Sequence, residues 1–143
     1  MKRMIMLVTV IAALAVPSYA FGDLLKVSDH GTTCAVVTLA DGGQAVNCIG
    51  KLSGLGSQTT TINVTAGFTC TNKAGNVVVG QSAGTSGPIQ PQNGQVTFNV
   101  TTSSTSDKCT HADGHTATFA TCATIDVFQG GQLVFTECVP ISQ

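Results

Sequence analysis

The cysteines constrain the fold of this chain more than any other feature. They number six, and no two of them form a C-x-x-C pair. In a small exported chain an even number of cysteines predicts three disulfides, with free thiols or a metal cluster as the alternatives. The six are Cys34, Cys48, Cys70, Cys109, Cys122 and Cys138.

The last two cysteines lie symmetrically about a glycine-rich turn. In an antiparallel hairpin, directly opposed residues are equally far from the centre of the turn, as Cys122 and Cys138 are from Gln129–Gly131. A three-residue loop there pairs Phe128 with Gln132 and brings the two cysteines opposite each other. Directly opposed residues lie about 4.5 to 5.5 Å apart, within the reach of a disulfide. The sequence therefore predicts a Cys122–Cys138 bond, provided that no β-bulge shifts the register.

A second hairpin is predicted around the turn Ala40–Gly43. Cys34 and Cys48 are equally far from Asp41 within this turn, so they are the second predicted pair. Cys70 and Cys109 remain, and they form the third pair, a longer crosslink between separate strands or loops. Under the same limit on bulges, the predicted disulfides are Cys34–Cys48, Cys70–Cys109 and Cys122–Cys138.

The first twenty residues have the pattern of a signal peptide. Two basic residues precede an apolar run over residues 5–16, and the small residues Ser18 and Ala20 follow on either side of Tyr19. A membrane anchor, the alternative, needs roughly 20 apolar residues, and this run is shorter. No later stretch is long enough to span a bilayer. We therefore expect residues 1–20 to be removed and residues 21–143 to form one β-domain that is secreted, periplasmic or at the cell surface.

The composition of residues 21–143 excludes several functions. This part contains no Met, Arg, Tyr or Trp, and its four Lys against seven acidic residues give a net charge of −3 with His neutral. Nucleic acid is excluded as a partner because phosphate binding needs clustered Lys and Arg. The missing Trp, Tyr and Arg also disfavour a compact, high-affinity interface. Weak contacts with the envelope or with other copies remain, made by strand addition at sheet edges.

Alternation of polar and apolar residues indicates the fold class. Every second residue in part of 58–72 is apolar: Ile62, Val64, Ala66 and Phe68. Short alternating stretches of this kind, separated by turn residues, predict an all-β fold, an antiparallel immunoglobulin-like β-sandwich crosslinked by disulfides. The predicted strands are residues 34–39, 44–50, 58–72, 76–80, 95–102, 115–128 and 131–141, and residues 84–94 are a predicted surface loop.

Several turn motifs resemble those of an uncharacterised group of small secreted bacterial β-sandwich proteins. They are Leu52–Gly56, Cys70-Thr71-Asn72, Gly75-Asn76, Gly80-Gln81 and Gln129-Gly130-Gly131. The resemblance covers most of residues 34–135. It implies a β-sandwich and export, and it implies no activity because these motifs are turn chemistry.

His111, Asp113 and His115 have the H-x-D-x-H spacing of a metal site on a strand. Alternate residues of a strand project from one face, so two imidazoles and a carboxylate could converge on zinc or copper. A solvated turn is the alternative, and Asp113-Gly114 favours it. We expect metal binding at these three residues to be weak or absent, and we expect no cofactor.

Two further motifs have structural explanations beside their functional ones. Gly80–Gly84 fits the G-x-S-x-G elbow, which exposes a nucleophilic serine, here Ser82, at a strand-to-helix turn. The Gly- and Pro-rich residues that follow cannot form that helix, so we favour a Gly/Ser loop. Asn63 and Asn99 begin glycosylation sequons, which matter only in a eukaryotic secretory path. The bacterial character of the signal segment favours ordinary strand residues at both positions.

Together these observations predict a secreted, non-enzymatic structural or surface-associated β-domain. A second hypothesis is an extracellular binding module for a metal or an envelope polymer, which uses the His111–His115 loop. A third is a small serine hydrolase with Ser82 as nucleophile. Isolation with an envelope partner separates the first two, and an activity screen with Ser82→Ala addresses the third.

We predict cleavage after Ala20. The exported protein should then absorb almost nothing at 280 nm, because residues 21–143 contain neither Tyr nor Trp and only disulfides absorb there. Intact-mass measurement of the exported protein checks the cleavage. A mass that includes residues 1–20 would show that the segment is not a cleaved signal peptide.

Overall fold

The computed structural model describes residues 26–72, 74–109 and 117–143, which have an all-β fold. Within these ranges there is no helix, and hence none that is long and apolar enough to cross a membrane. The predicted signal peptide lies outside them. The strands are β1 (Ser28–Asp29), β2 (Thr33–Thr38), β3 (Gln44–Ser53), β4 (Thr60–Thr71), β5 (Val77–Ile89), β6 (Val96–Thr101), β7 (Thr118–Phe119), β8 (Cys122–Gln129) and β9 (Gln132–Ser142).

The strands form a mixed sheet in the order β1-β3-β2-β9-β8-β4-β5, with β6 on β3 and β7 on β4. Every pair is antiparallel except β2 with β9, where Cys34 lies beside Ile141. The prediction of a purely antiparallel sheet is therefore wrong. The physical reason is the length of β9, which pairs with β8 along most of its course and reaches β2 with its last residues.

The alternation predicted for residues 58–72 is confirmed in β4. Its apolar residues are buried and those between them are mostly half-buried. Strands β6 and β8 alternate in the same way, and their buried side chains join those of β4 in one hydrophobic cluster. Full burial of one Val or Ile contributes about 1.5 to 3 kcal/mol, so this shared inner face is the main source of stability.

Two of the three disulfides lie inside this core. Cys34 and Cys48 are directly opposed in the β2–β3 ladder, with their Cα atoms 4.2 Å apart. Cys70 of β4 is bonded to Cys109, which follows β6, across a Cα–Cα distance of 5.8 Å. All four side chains are buried. Closing the long loop between Cys70 and Cys109 contributes about 4 kcal/mol in the chain-entropy model.

The third disulfide, Cys122–Cys138, joins β8 and β9, whose pairing register differs from the predicted one. The β8–β9 hairpin turns on two residues, Gly130 and Gly131, both with positive φ, and a bulge follows between Val127 and Phe128. Cys138 therefore lies opposite Thr124, and the disulfide runs diagonally across the ladder over a Cα–Cα distance of 5.5 Å. The expected three-residue loop is wrong because consecutive glycines favour the tighter turn, whose twist matches that of the strands.

Residues 84–94 are also different from their prediction as a surface loop. Strand β5 continues to Ile89, and the chain turns later, at Asn93 and Gly94, which both have positive φ. Pro88 is tolerated because β5 is the last strand in the sheet order, where a missing N–H leaves no neighbouring strand unpaired.

Gln129, the first residue of the Gln-Gly-Gly motif, holds the loop between β3 and β4. Its side chain is 4% exposed. The Gly56 N–H donates to its Oε1 at 3.1 Å, and its Nε2 donates to the carbonyl oxygens of Gly56 and Gln58 at 3.1 and 3.0 Å. A further bond from Nε2 reaches Thr60 Oγ1 at 3.0 Å. One amide thus satisfies the polar atoms of a loop that packs against the core.

We predict that Gln129→Ala lowers the free energy of unfolding by about 2 to 4 kcal/mol, because the buried Thr60 hydroxyl and the partly buried backbone groups of Gly56 and Gln58 lose their hydrogen-bond partner. The matched control is Gln132→Ala, at the exposed residue that faces Gln129 across the turn. Urea unfolding followed by far-UV circular dichroism measures both variants. Equal midpoints would contradict the role assigned to Gln129.

Candidate functional site

Ser82, the serine of the G-x-S-x-G motif, lies on the inner side of β5. Its side chain is fully buried, and its Oγ donates a hydrogen bond to the carbonyl oxygen of Ser103 at 2.5 Å. Strand β5 continues beyond it for seven residues, so the strand-to-helix turn of a nucleophile elbow is absent from this part of the structure. The hydroxyl group serves to satisfy a backbone carbonyl.

The glycines of the same motif have a packing explanation. A Cβ on Gly80 would lie 2.6 Å from the Phe68 ring, and one on Gly84 would lie 2.5 Å from the carbonyl oxygen of Thr101. Beside Gly84, the Ser103 N–H donates to the carbonyl oxygen of Ala83 at 3.0 Å. We call this contact between residues 82–84 and 101–103 the β5–β6 seam. Close packing therefore explains both glycines of the motif: the Phe68 ring lies against Gly80, and the Thr101 backbone lies against Gly84.

The candidate metal ligands His111, Asp113 and His115 lie outside the described residues. Of the described residues, Cys109 is disulfide-bonded and buried, and the Ala117 N–H donates to Gln44 Oε1 at 2.9 Å. Among residues 26–72, 74–109 and 117–143, no group of three or more His, Cys, Asp and Glu side chains is arranged to hold a metal ion.

The two sequon asparagines lie on different strands. Asn63 is half-buried on β4, and Asn99 is exposed on β6. Asn47 Nδ2 donates to Asn99 Oδ1 at 2.6 Å and to Thr101 Oγ1 at 2.9 Å. In Asn99-Val100-Thr101, the two polar residues of the sequon thus take part in a cross-strand contact between β3 and β6.

The structure contains a contact between His30 and Ser53 that the sequence does not predict. His30 Nε2 lies 2.6 Å from Ser53 Oγ, where β1 meets β3, and the pair is exposed. The neighbouring carboxylate of Asp29 accepts hydrogen bonds from the backbone N–H and the hydroxyl of Thr32. The contact ties the segment around β1 to β3. Sequence could not indicate it, because Ser53 and His30 are 23 residues apart and match no motif.

Among the described residues, the carboxyl groups of Asp41 and Glu137 have pKa values shifted in opposite directions. Hydrogen bonds from the Ser106 and Ser104 side chains and from the Gly43 N–H hold the pKa of Asp41 below 3.8. Burial, assisted by the charge of Asp29, raises the pKa of Glu137 above 4.5. The contribution of Asp41 to the free energy of unfolding is therefore lost as the pH falls through its lowered pKa. The contribution of Glu137 has the opposite pH dependence: it is present at low pH and is lost as the pH rises through its raised pKa.

The outer part of β5 is the most apolar exposed feature of the described residues. Val77 and Val79 are 73% and 77% exposed, and no residue of β5 is charged. The strand is last in the sheet order, and among the described residues no backbone group pairs with residues 77–81 on the side away from β4. We call this side of residues 77–81 the β5 edge. An uncharged edge strand offers its backbone groups to another extended chain.

A shallow groove of about 340 Å³ lies over β4, between β5 and β7. Gly67 of β4 contributes to its floor, Val79 and Gln81 line one side, and Thr118 and Ala120 line the other. The position that a Cβ of Gly67 would occupy is open, with the Ala120 side chain 3.9 Å away. The groove and the β5 edge therefore lie on opposite sides of β5, and only the edge leaves backbone groups of β5 without a pairing strand among the described residues.

Comparison with known proteins identifies no relative. The chain matches no protein-family model, no curated protein and no solved structure.

We predict that substitutions at the Ser82 and Gly84 positions, whose hydrogen bond and close packing hold the β5–β6 seam, lower the free energy of unfolding. Ser82→Ala should lower the free energy of unfolding by about 1 kcal/mol, because the hydrogen bond from the buried Ser82 hydroxyl to the Ser103 carbonyl oxygen is lost. Gly84→Ala should cost more, about 2 kcal/mol or above, because the added Cβ would press on backbone that cannot rotate away.

The control for both variants is Ala83→Ser, at an exposed position of the same strand, which should leave the urea midpoint unchanged. If Ser82→Ala and Ala83→Ser had the same midpoint as the parent protein, the structural role of Ser82 would be refuted.

Proposed function

We propose that this chain is an exported, non-enzymatic structural or surface-associated domain that attaches to its surroundings through the β5 edge. The observation that carries the proposal is the exposure of Val77 and Val79 on an uncharged edge strand, whose side away from β4 has no backbone partner at residues 77–81 among the described residues. Its three disulfides are compatible with an oxidising compartment outside the cytoplasm. Strand addition fits a chain without Trp, Tyr or Arg in residues 21–143, because main-chain hydrogen bonds supply the affinity.

We further propose that the domain is an immunoglobulin-like β-sandwich. Support comes from the core, in which the inner faces of β3 and β6 share one hydrophobic cluster with those of β4 and β8. The seam supports it as well, since β5 and β6 approach each other although the sheet order places them far apart. The resemblance of the turn motifs to those of small secreted bacterial proteins is consistent with the same proposal, because it implies a β-sandwich.

The alternative functions have less support. Burial of Ser82 and its bond to a backbone carbonyl speak against a serine hydrolase, because a nucleophile must reach its substrate. A binding module that uses His111, Asp113 and His115 stays a hypothesis that calorimetry with zinc and copper addresses. A sub-micromolar site that His111→Ala abolishes would favour it over the structural proposal.

Attachment through the β5 edge makes a testable prediction. Changing Val77 and Val79 to Lys removes two cross-strand apolar contacts and places two charges where a partner strand would lie. The variant should reduce the amount of protein retained on washed cells at least about tenfold relative to the medium, which corresponds to about 1.4 kcal/mol. Quantitative immunoblots of cell and medium fractions measure it.

Leu133→Lys is the matched control, because Leu133 is also an exposed apolar residue but lies on β9, away from the β5 edge. It should be retained like the parent protein. Unfolding midpoints confirm that all variants fold. Retention of the double variant at the parent level would show that the domain does not attach through this edge.

A further inference from the structure

The three disulfides differ in their access to solvent. The side chains of Cys34, Cys48, Cys70 and Cys109 are at most 5% exposed. Cys138, in contrast, is exposed and its partner Cys122 is half-buried. A disulfide is exchanged when a thiolate attacks one of its sulfur atoms, so the rate depends on whether a thiolate can reach that atom.

The surroundings of Cys138 leave its sulfur open to attack. On the same strand, Thr136 and Pro140 are its neighbours on the outer face, and both are exposed. Thr124, which faces Cys138 across the β8–β9 ladder, is exposed too. No bulky side chain of the paired strand stands directly over this cysteine.

The β8–β9 hairpin does not depend on the disulfide alone. A backbone ladder joins the strands from Cys122 opposite Pro140 to Gln129 opposite Gln132. The inner faces of both strands also contribute to the core, through residues such as Ile125 and Val139. Opening the bond therefore leaves the two strands paired, and the two buried disulfides remain intact.

We propose that Cys122–Cys138 is a thiol-exchange site that accepts a low-molecular-weight thiol at Cys138. The thiolate attacks Cys138 Sγ and forms a mixed disulfide with it. The Cys122–Cys138 bond breaks, and its electron pair leaves on Cys122 Sγ, which takes a proton from water. The product is a folded domain with an adduct on Cys138 and a free thiol on Cys122. Attack by Cys122 on the mixed disulfide expels the small thiol and restores the original bond.

The experiment treats the exported protein with millimolar 2-mercaptoethanol under native conditions and traps free thiols with iodoacetamide at successive times. Unreduced peptide mapping by mass spectrometry then locates each modification. At early times the adduct should lie mainly on Cys138 and the alkyl group on Cys122, with Cys34–Cys48 and Cys70–Cys109 intact. The circular dichroism spectrum should not change.

Three results would overturn the proposal. The first is exchange at either buried disulfide as fast as at Cys122–Cys138. The second is an adduct found mainly on Cys122. The third concerns the untreated protein: recovery of Cys109 linked to Cys122 would show that the exchanging bond does not exist.

A shielding variant tests access without removing a cysteine. Thr124→Trp places a large ring opposite Cys138 and should slow adduct formation several-fold. Thr97→Trp, at an exposed position on β6, is the matched control and should react at the parent rate. Equal rates for both variants, with unchanged unfolding midpoints, would show that access at this face does not govern the reaction.

Discussion

The β5–β6 seam is the contact on which the rest of the structure depends, because it joins two strands that the sheet order places far apart. From β5, the pairing runs through β4, β8, β9, β2 and β3 to β6, and the Ser103 N–H then binds the Ala83 carbonyl oxygen. Gly84 permits the approach because it has no Cβ, and Ser82 satisfies a carbonyl group at the contact. The inner faces of the intervening strands therefore share one core.

The disulfides divide into two classes with different consequences. Cys34–Cys48 and Cys70–Cys109 lie in the core, where they stabilise the fold and no thiolate reaches them. Cys122–Cys138 crosslinks two strands that a ladder already pairs, so it adds less to the fold and is open to chemistry. Under the proposed function, in which β5 attaches the domain outside the cell, the domain can carry an exchangeable bond on β9 and keep its fold.

Strand β5 explains why part of the candidate site could not be predicted. Gly84 and Pro88 are typical of loops, so the sequence predicts a loop over residues 84–94. In the structure both residues lie in β5. A glycine is needed at position 84 because the Thr101 backbone approaches it closely, and a proline is tolerated at position 88 because β5 is an edge strand. Whether these residues form a loop or a strand depends on the position of β5 in the sheet. The local composition does not encode that position. The exposure of Val77 and Val79 depends on that same position.

The sequence by itself determined the strand character of β4 and its inner face, because alternation with period two is a local property of the chain. It also located the β8–β9 turn, since consecutive glycines adopt positive φ without strain. Only the tertiary structure decided the register beyond the bulge at Val127, the parallel contact of β9 with β2, and the exposure of Cys138. These features depend on which strands become neighbours in the sheet. That pairing is determined by packing between residues that are far apart in the chain.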